Sequence, residues 1–320
     1  MIRIGLLGAG TMGAVHASAY AGMPDVEVVG VFARTLDRAR RVAEICKSEP
    51  VDDARSLIGR PDVDAIDVCL SSALHPEFVV SALDQGKHVF CETPMALEMT
   101  KAQEMRAVAR KAKRLLQVGL LMRSVDAYQH IKAATLSGEH GRLINLSAWR
   151  LGSYLHPDAP GRKAHYSDPA IELMTFEFDV LLWLMGRPER LAATGGGDVT
   201  ALLDYADGRH ATITASGLMP PGSPFTVGFR ALFERAVFML QTIFVGTVPD
   251  STFTVATTSM LPTEVPIADR NPYDAELRRF IDCIDSTADP AFLDADRAIE
   301  ALDLSLATRR ALAGGQPVRL

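Results

Sequence analysis

The sequence predicts a two-domain α/β protein. A doubly wound parallel sheet covers residues 1–123, and an α+β domain with a large open, mostly antiparallel sheet covers residues 124–320. Three observations carry this expectation. Apolar, β-branched runs alternate with helix-forming stretches as far as Gly119, the mark of a parallel sheet with right-handed crossovers. A glycine-rich turn, Gly8-Ala9-Gly10-Thr11-Met12-Gly13, follows the first of those runs. Beyond Arg123 the texture changes to short β-rich runs separated by turn signals. The 320-residue length agrees, because single cores stop growing at about 250–300 residues.

In chain order, Ile2 to Leu7 reads as a strand and Ala14 to Ala21 as a helix, then Val26 to Phe32 as a strand and Leu36 to Cys46 as a helix. Ala65 to Leu70 is the next strand. Pro76 to Gln85 is a helix with proline in its first turn and Gly86 just past its end. Lys87 to Cys91 and Leu115 to Gly119 are strands flanking a helix from Leu97 to Ala112. The second domain opens with a helix over Val125 to Leu136. Strands follow at Leu143 to Arg150, Val199 to Tyr205, Arg209 to Gly217, Phe225 to Phe233, Ala236 to Gln241 and Thr252 to Thr257. Asp207-Gly208 marks a hairpin. One helix, Pro169 to Met185, interrupts the series. Two more, Tyr273 to Asp285 and Asp294 to Ala313, close the chain and are candidates to pack back on the first domain.

A composition of 22% charged and 48% hydrophobic residues, with 24 glycines and 18 prolines, excludes a disordered, collagen-like or disulfide-scaffold chain. The net charge of −6 disfavours nucleic acid as a partner, since neutralising phosphate needs a basic field. No apolar run reaches the length of a membrane span. Cys46, Cys69, Cys91 and Cys283 are widely separated and show no metal-ligand spacing. A reducing compartment, no metal site and a cytoplasmic location are expected. The immediate entry into a strand at Ile2 leaves no room for a signal peptide.

The glycines define the first candidate site. Gly8 permits a tight turn, Gly10 lets backbone approach a pyrophosphate, and Gly13 allows close helix-to-strand packing. Thr11 and Met12 complete the turn, and the helix N-terminus behind it favours an anion. At the end of the second strand, Ala33 stands where an acidic residue would bind the adenosine ribose of NAD. With that carboxylate absent and Arg34 and Arg38 offering forked donors, the sequence favours NADP(H) over NAD(H).

These motifs resemble the family of glucose-fructose oxidoreductase, inositol dehydrogenase and rhizopine-catabolism proteins (Gfo/Idh/MocA). The resemblance runs nearly end to end. It is carried by the glycine turn, by Val63 to Leu70 followed by Ser71-Ser72-Ala73-Leu74-His75, and by Ala82 to Glu92 with its Gly-Lys-His-Val strand. It continues in Val118-Gly119, Arg123, Phe178 to Gly186 and Tyr273 to Phe280. The resemblance implies an NAD(P)-dependent oxidoreductase acting on a small sugar- or polyol-like substrate. It also implies that Ser71, Leu74 and His75 line the nicotinamide side, that Glu92 contacts the nicotinamide ribose, and that dimers or tetramers form through the second sheet. Val227, Phe229, Ala231 and Phe233 alternate along one of that sheet's strands, as an apolar face awaiting a partner would.

The chain departs from the family at both catalytic positions. Where the resemblance leads one to expect Glu-Lys-Pro, Glu92-Thr93-Pro94 has threonine. Phe176 stands at the place of the usual histidine and Glu172 at that of the usual aspartate. On a continuous helix Glu172, Phe176, Asp179 and Trp183 share one face. Phenylalanine cannot transfer a proton, and threonine brings no useful pKa. Three accounts follow. His165 or Tyr166, in the polar loop from Gly152 to Asp168, supplies the proton with Glu172 orienting it. Alternatively, the substrate is a conjugated or imine-like acceptor needing little acid–base help, with Phe176 as an apolar wall. In the third account the protein binds NADP(H) without catalysis, as a sensor or subunit. Arg123 and Asp179 are further candidates for substrate contact, and an interdomain salt bridge is an equal alternative for Arg123.

Overall fold

The structure, a computed structural model, describes residues 1–158, 168–245, 248–268 and 270–320. The chain divides into two compact units: Met1–Ser124 with Arg270–Ile299, and Val125–Asp269 with Glu300–Leu320.

The first unit runs β1 (Ile2–Leu7), α1 (Thr11–Ala21), β2 (Val26–Phe32), α2 (Leu36–Cys46), β3 (Glu49–Val51), α3 (Ala54–Ile58), β4 (Ala65–Val68), α4 (His75–Asp84), β5 (His88–Cys91), α5 (Met99–Ala112) and β6 (Leu116–Val118). Its six strands are all parallel, in the order β3-β2-β1-β4-β5-β6. The chain therefore switches sides of the sheet between β1 and β4, where doubly wound sheets bind ligands beyond the strands' carboxyl ends. The short β3 and α3 escape the sequence reading because three and five residues are too few to show a period.

The second unit begins with α6 (Asp126–Ser137), β7 (Leu143–Leu151), α7 (Pro169–Glu172) and α8 (Met174–Met185). It continues through β8 (Arg190–Gly195), β9 (Asp198–Asp204), β10 (His210–Ser216), β11 (Phe225–Phe233), β12 (Ala236–Val245), β13 (Val248–Thr257) and β14 (Met260–Glu264). The chain then runs through α9 (Pro272–Ile284), which falls in the first unit, α10 (Ala295–Gly314), whose first residues to Ile299 do so too, and β15 (Val318–Arg319) of the second. Among the described residues the second sheet has nine strands, in the order β14-β13-β12-β11-β7-β10-β9-β8-β15. Every pairing is antiparallel except β7 with β10. The β9–β10 hairpin turns at Gly208, whose φ of +83° is the left-handed region that glycine adopts freely.

The first boundary falls after Ser124, one residue from the expected Arg123, but the second domain is not continuous to residue 320: of the closing helices named as candidates to pack back, the segment Arg270–Ile299 belongs to the first unit. The reason is apolar: Leu277, Phe280 and Ile281 of α9 complete a core with Ile4, Tyr20 and Phe90. Phe90 and Phe280 lie 5.6 Å apart, centroid to centroid. Two further expectations change. The helix from Pro169 to Met185 is interrupted at Leu173. There the Thr175 hydroxyl donates to the Ile171 carbonyl at 2.6 Å, and the Phe176 amide donates to Leu173 one residue short of the α-helical spacing. Val227, Phe229, Ala231 and Phe233 face the covered side and are buried. The opposite face carries Ser147, Thr212 and Arg230, cross-linked by hydrogen bonds of 2.9 and 3.3 Å. Among the described residues no helix is long and apolar enough to cross a membrane.

Candidate functional site: the glycine turn and the helix of the second unit

The turn after β1 has the geometry its glycines predict. Gly8 sits at φ +124°, and a Cβ there would lie 2.3 Å from the Cys69 carbonyl oxygen. A Cβ on Gly13 would lie 2.0 Å from the Gly8 carbonyl oxygen, so α1 can pack this tightly only with glycine at that point. Gly10 is different: nothing lies within 4 Å of its missing Cβ. It is the N-cap of α1 and has no side chain to close the first turn. The amides of Thr11, Met12 and Gly13 are then the unbonded donors of a helix start, available to an anion. At the end of β2, Ala33 is buried, while Arg34 and Arg38 are exposed and, among the described residues, pair with no carboxylate.

Ser71 and Leu74 are exposed beyond β4. His75 is not available as a contact, because its ring is buried between two carbonyl oxygens, Nδ1 at 2.9 Å from Pro94 and Nε2 at 3.0 Å from Leu70. It braces the loops after β4 and β5, and burial lowers its pKa. Thr93 donates its hydroxyl proton to the Gly119 carbonyl at 2.6 Å and its amide to Glu92 Oε2 at 3.0 Å. Arg123 is also buried, donating to the Phe292 carbonyl at 3.0 Å and lying 5.8 Å from that ring's centroid. Phe292 belongs to the same unit.

Glu92 turns inward, toward a cluster the sequence reading missed. His16 of α1 is fully buried. Its Nδ1 lies 2.8 Å from Asp67 Oδ2, and its Nε2 lies 3.0 Å from Glu92 Oε1. The second contact is short but not aligned as a hydrogen bond, and neither atom has another partner among the described residues. The Tyr20 hydroxyl donates to Asp67 at 2.9 Å, and the Cys69 thiol lies 3.4 Å from the other Asp67 oxygen. Burial opposes a charge on His16, yet the Asp67 carboxylate beside it holds its pKa well above 6.5. Burial keeps the Cys69 thiol protonated. His16, Asp67 and Cys69 fall within 4.8 Å of one another, but their protons are accounted for by mutual bonds, so the arrangement reads as a hydrogen-bonded cluster. Glu276 of α9 lies in the same field, with both oxygens buried and unbonded among the described residues; burial, then Glu92, hold it protonated.

In the second unit Asp168 caps α7 by accepting from the Ala170 amide at 3.0 Å. Glu172, one turn on, is 5% exposed. Burial, reinforced by the Asp168 charge, pushes its pKa up to about 7. Phe176 is half-buried and rests on Arg150 of β7, whose guanidinium carbon is 4.3 Å from the ring centroid. Arg150 in turn grips Glu177 through Nη2 at 2.9 Å and Nε at 3.1 Å. Burial raises the Glu177 pKa and Arg150 counters it. Asp179 is buried within α8. The break at Leu173 falls between Glu172 and Phe176, so the continuous helix on which a shared face was expected is not formed. His165 and Tyr166 lie outside the described residues.

Two signals could have found the missed residues. Leu146, Ala148 and Arg150 alternate inward along β7, so period-2 reading buries Arg150. Gly13, His16, Ala17 and Tyr20 form one buried stripe of α1, and Asp67 is an acid inside the wholly buried β4.

Residues 2–120 match the family model for the GFO/IDH/MocA oxidoreductases, described as an oxidoreductase family with an NAD-binding Rossmann fold. Residues 128–238 match that family's C-terminal domain. Inositol 2-dehydrogenase of Acidothermus cellulolyticus is 34% identical over 190 residues, covering 57% of this chain and 53% of that protein. The chain thus spans about half the length of the curated relatives it matches. A Desulfitobacterium hafniense protein, classed provisionally as an NADPH-dependent oxidoreductase, superposes with a TM-score of 0.89 at 18% identity, over 99% of this chain and 97% of that one. The WlbA dehydrogenase of Bordetella pertussis, solved with NADH and UDP-GlcNAcA, gives 0.83 at 20% identity, over 100% and 98%. These structures share the fold. With the glycine turn inside one matched domain and the nine-stranded sheet largely inside the other, the chain belongs to the Gfo/Idh/MocA family of oxidoreductases with an NAD-binding Rossmann fold.

Proposed function

We propose that the protein is a nicotinamide-dinucleotide oxidoreductase, preferring NADP(H), that acts at a hydroxyl- or carbonyl-bearing carbon of a small sugar- or polyol-like substrate. The observation that carries this reading is the glycine turn: Gly8 and Gly13 admit no side chain, while Gly10 opens onto free space at a helix N-terminus. The first-turn amides of α1 would hold the pyrophosphate, Arg34 and Arg38 a 2′-phosphate, and Ser71, Leu74 and Glu92 the nicotinamide side. The bound dinucleotide supplies the hydride donor or acceptor. The inositol 2-dehydrogenase relative supports a polyol as substrate.

For the accompanying proton we favour Glu172, because a carboxyl with a pKa of about 7 can both give and take a proton at neutral pH. Thr93 is an oriented dipole whose own proton is committed to Gly119. Titration with NADPH and NADH, followed by absorbance assays on inositol and related polyols, tests the reading. Binding of neither dinucleotide refutes it, and tighter NADH removes the NADP(H) preference.

Phe176 favours a second reading, reduction of a conjugated or imine-like substrate, since the ring offers an apolar wall and no proton. Turnover of such acceptors without polyol oxidation would select it. Tight NADPH binding without any turnover would select the sensor. We also propose a homodimer or homotetramer formed through the open face of the second sheet, where Leu202 and Met239 are exposed. Light scattering that shows only monomer refutes that assembly.

A further inference from the structure

The cluster beneath the glycine turn has a use that the proposed reaction has not absorbed. We propose that His16 is a positioning residue for the cofactor: anchored on Asp67 through Nδ1, it holds Glu92 through Nε2, so that the Glu92 carboxylate stands fixed as an acceptor for the hydroxyls of the nicotinamide-side ribose. The inference rests on the dinucleotide reading given above.

Geometry makes the argument. Glu92 opens the loop directly after β5, on the same edge of the sheet as the glycine turn after β1. Its two oxygens are held differently. Oε2 accepts the Thr93 amide, and Oε1 meets His16 Nε2 at 3.0 Å. His16 itself cannot swing freely. Asp67 holds Nδ1 at 2.8 Å, Phe90 meets the ring edge-on at 5.6 Å, and Tyr273 lies 6.2 Å from it. Asp67 is fixed in turn by the Tyr20 hydroxyl. An imidazole with a carboxylate at each nitrogen favours the imidazolium form, here hydrogen-bonded to Asp67 at Nδ1 and paired with Glu92 by charge at Nε2. Burial weakens the solvent competition for that charge, and the pKa of His16 lies well above its ordinary value. Glu276 faces the same ring from α9, and burial holds it protonated, so it adds no third negative charge to the cluster.

The test separates the two halves of the cofactor. Wild type and His16→Gln are titrated with the tighter dinucleotide and with its adenosine half alone, 2′,5′-ADP for NADPH or ADP for NADH. Glutamine keeps a donor for one carboxylate but cannot bridge two. The expected result is a loss of about tenfold or more on the dinucleotide, the scale of one charge-assisted hydrogen bond, with the adenosine half unchanged. Combining His16→Gln with Glu92→Gln should add little to either loss, because both act on one contact. Nitrogen-15 histidine spectra of the wild type should show one ring protonated at both nitrogens, responding to the dinucleotide and not to the adenosine half. Should His16→Gln fail to fold, Asp67→Asn removes the anchor while keeping the ring, and the same pattern is expected. Equal weakening of both ligands, no weakening of either, or a neutral His16 ring overturns the proposal. Wild type binding neither dinucleotide overturns the functional reading itself, a distinguishable outcome.

Discussion

Replacing Glu172 with glutamine should alter how stability depends on pH. An unfolded glutamate ionises near 4.5, whereas the buried one keeps its proton up to about 7. The folded chain therefore binds more protons than the unfolded chain between those values. Stability is fully present below pH 4.5, falls as pH rises toward 7, and is level above it. With one pKa unit worth about 1.4 kcal/mol, the loss amounts to about 3 kcal/mol. Glutamine does not titrate. The unfolding free energy of Glu172→Gln minus that of wild type should rise by about 3 kcal/mol between pH 4.5 and pH 8, whatever constant offset the amide introduces. Urea titrations followed by tryptophan fluorescence suit the question, since Trp149 and Trp183 both belong to the second unit. A difference that stays flat across this range refutes the burial argument. If Glu172 also carries the proton in the reaction, the variant loses about 10² to 10⁴ in rate and the pH limb near 7 disappears.

Other consequences follow from the same geometry. Gly10→Ala should fold with stability within about 0.5 kcal/mol of wild type in denaturant yet bind dinucleotide more weakly. Gly13→Ala should lose several kcal/mol, roughly 3 or more, because its Cβ would overlap a backbone carbonyl. Arg34→Glu should weaken NADPH by about 10- to 100-fold, through loss of a charge-assisted bond, and leave NADH unchanged in parallel titrations. Arg150→Met strands the buried Glu177 carboxylate and should cost about 3–5 kcal/mol, whereas Arg150→Met with Glu177→Leu should recover most of it; denaturant midpoints of the three variants decide the matter.

Periodicity made most of the scaffold legible. Leu36 to Cys46 and Phe225 to Phe233 show long, clean patterns, and the observed elements end at those same residues. The helix interruption at Leu173 was not legible, since it depends on a Thr175 hydroxyl that also meets Ser305, 130 residues away. Arg270–Ile299 belongs to the first unit for a similarly non-local reason. The sequence made α9 a candidate to pack back on the first domain, but not the residues it covers there, Ile4, Tyr20 and Phe90. At the site, the glycine turn could be read because each glycine answers a local backbone demand. His75 was expected at the nicotinamide from the family resemblance and Arg123 near substrate from its place just after the strand ending at Gly119, and the structure buries both against backbone carbonyls.

Phe176 becomes intelligible through the residue beneath it. A charged histidine there would stand about as far from the Arg150 guanidinium as the phenyl ring does now, 4.3 Å. At an effective dielectric near 20 two like charges at that separation repel by about 4 kcal/mol. Glu177, bonded to the same guanidinium, offsets part of that repulsion. An aromatic ring is instead attracted to the cation. The side chains at 150 and 176 are therefore coupled, and a strand cation that excludes an imidazolium leaves the proton to another group. Restoring histidine by Phe176→His should accordingly give a ring with a pKa below 6.5, whereas Phe176→His in an Arg150→Met background should titrate higher. Histidine NMR titrations that place the two rings at the same pKa would break the coupling, and with it this account of why the position carries no charge.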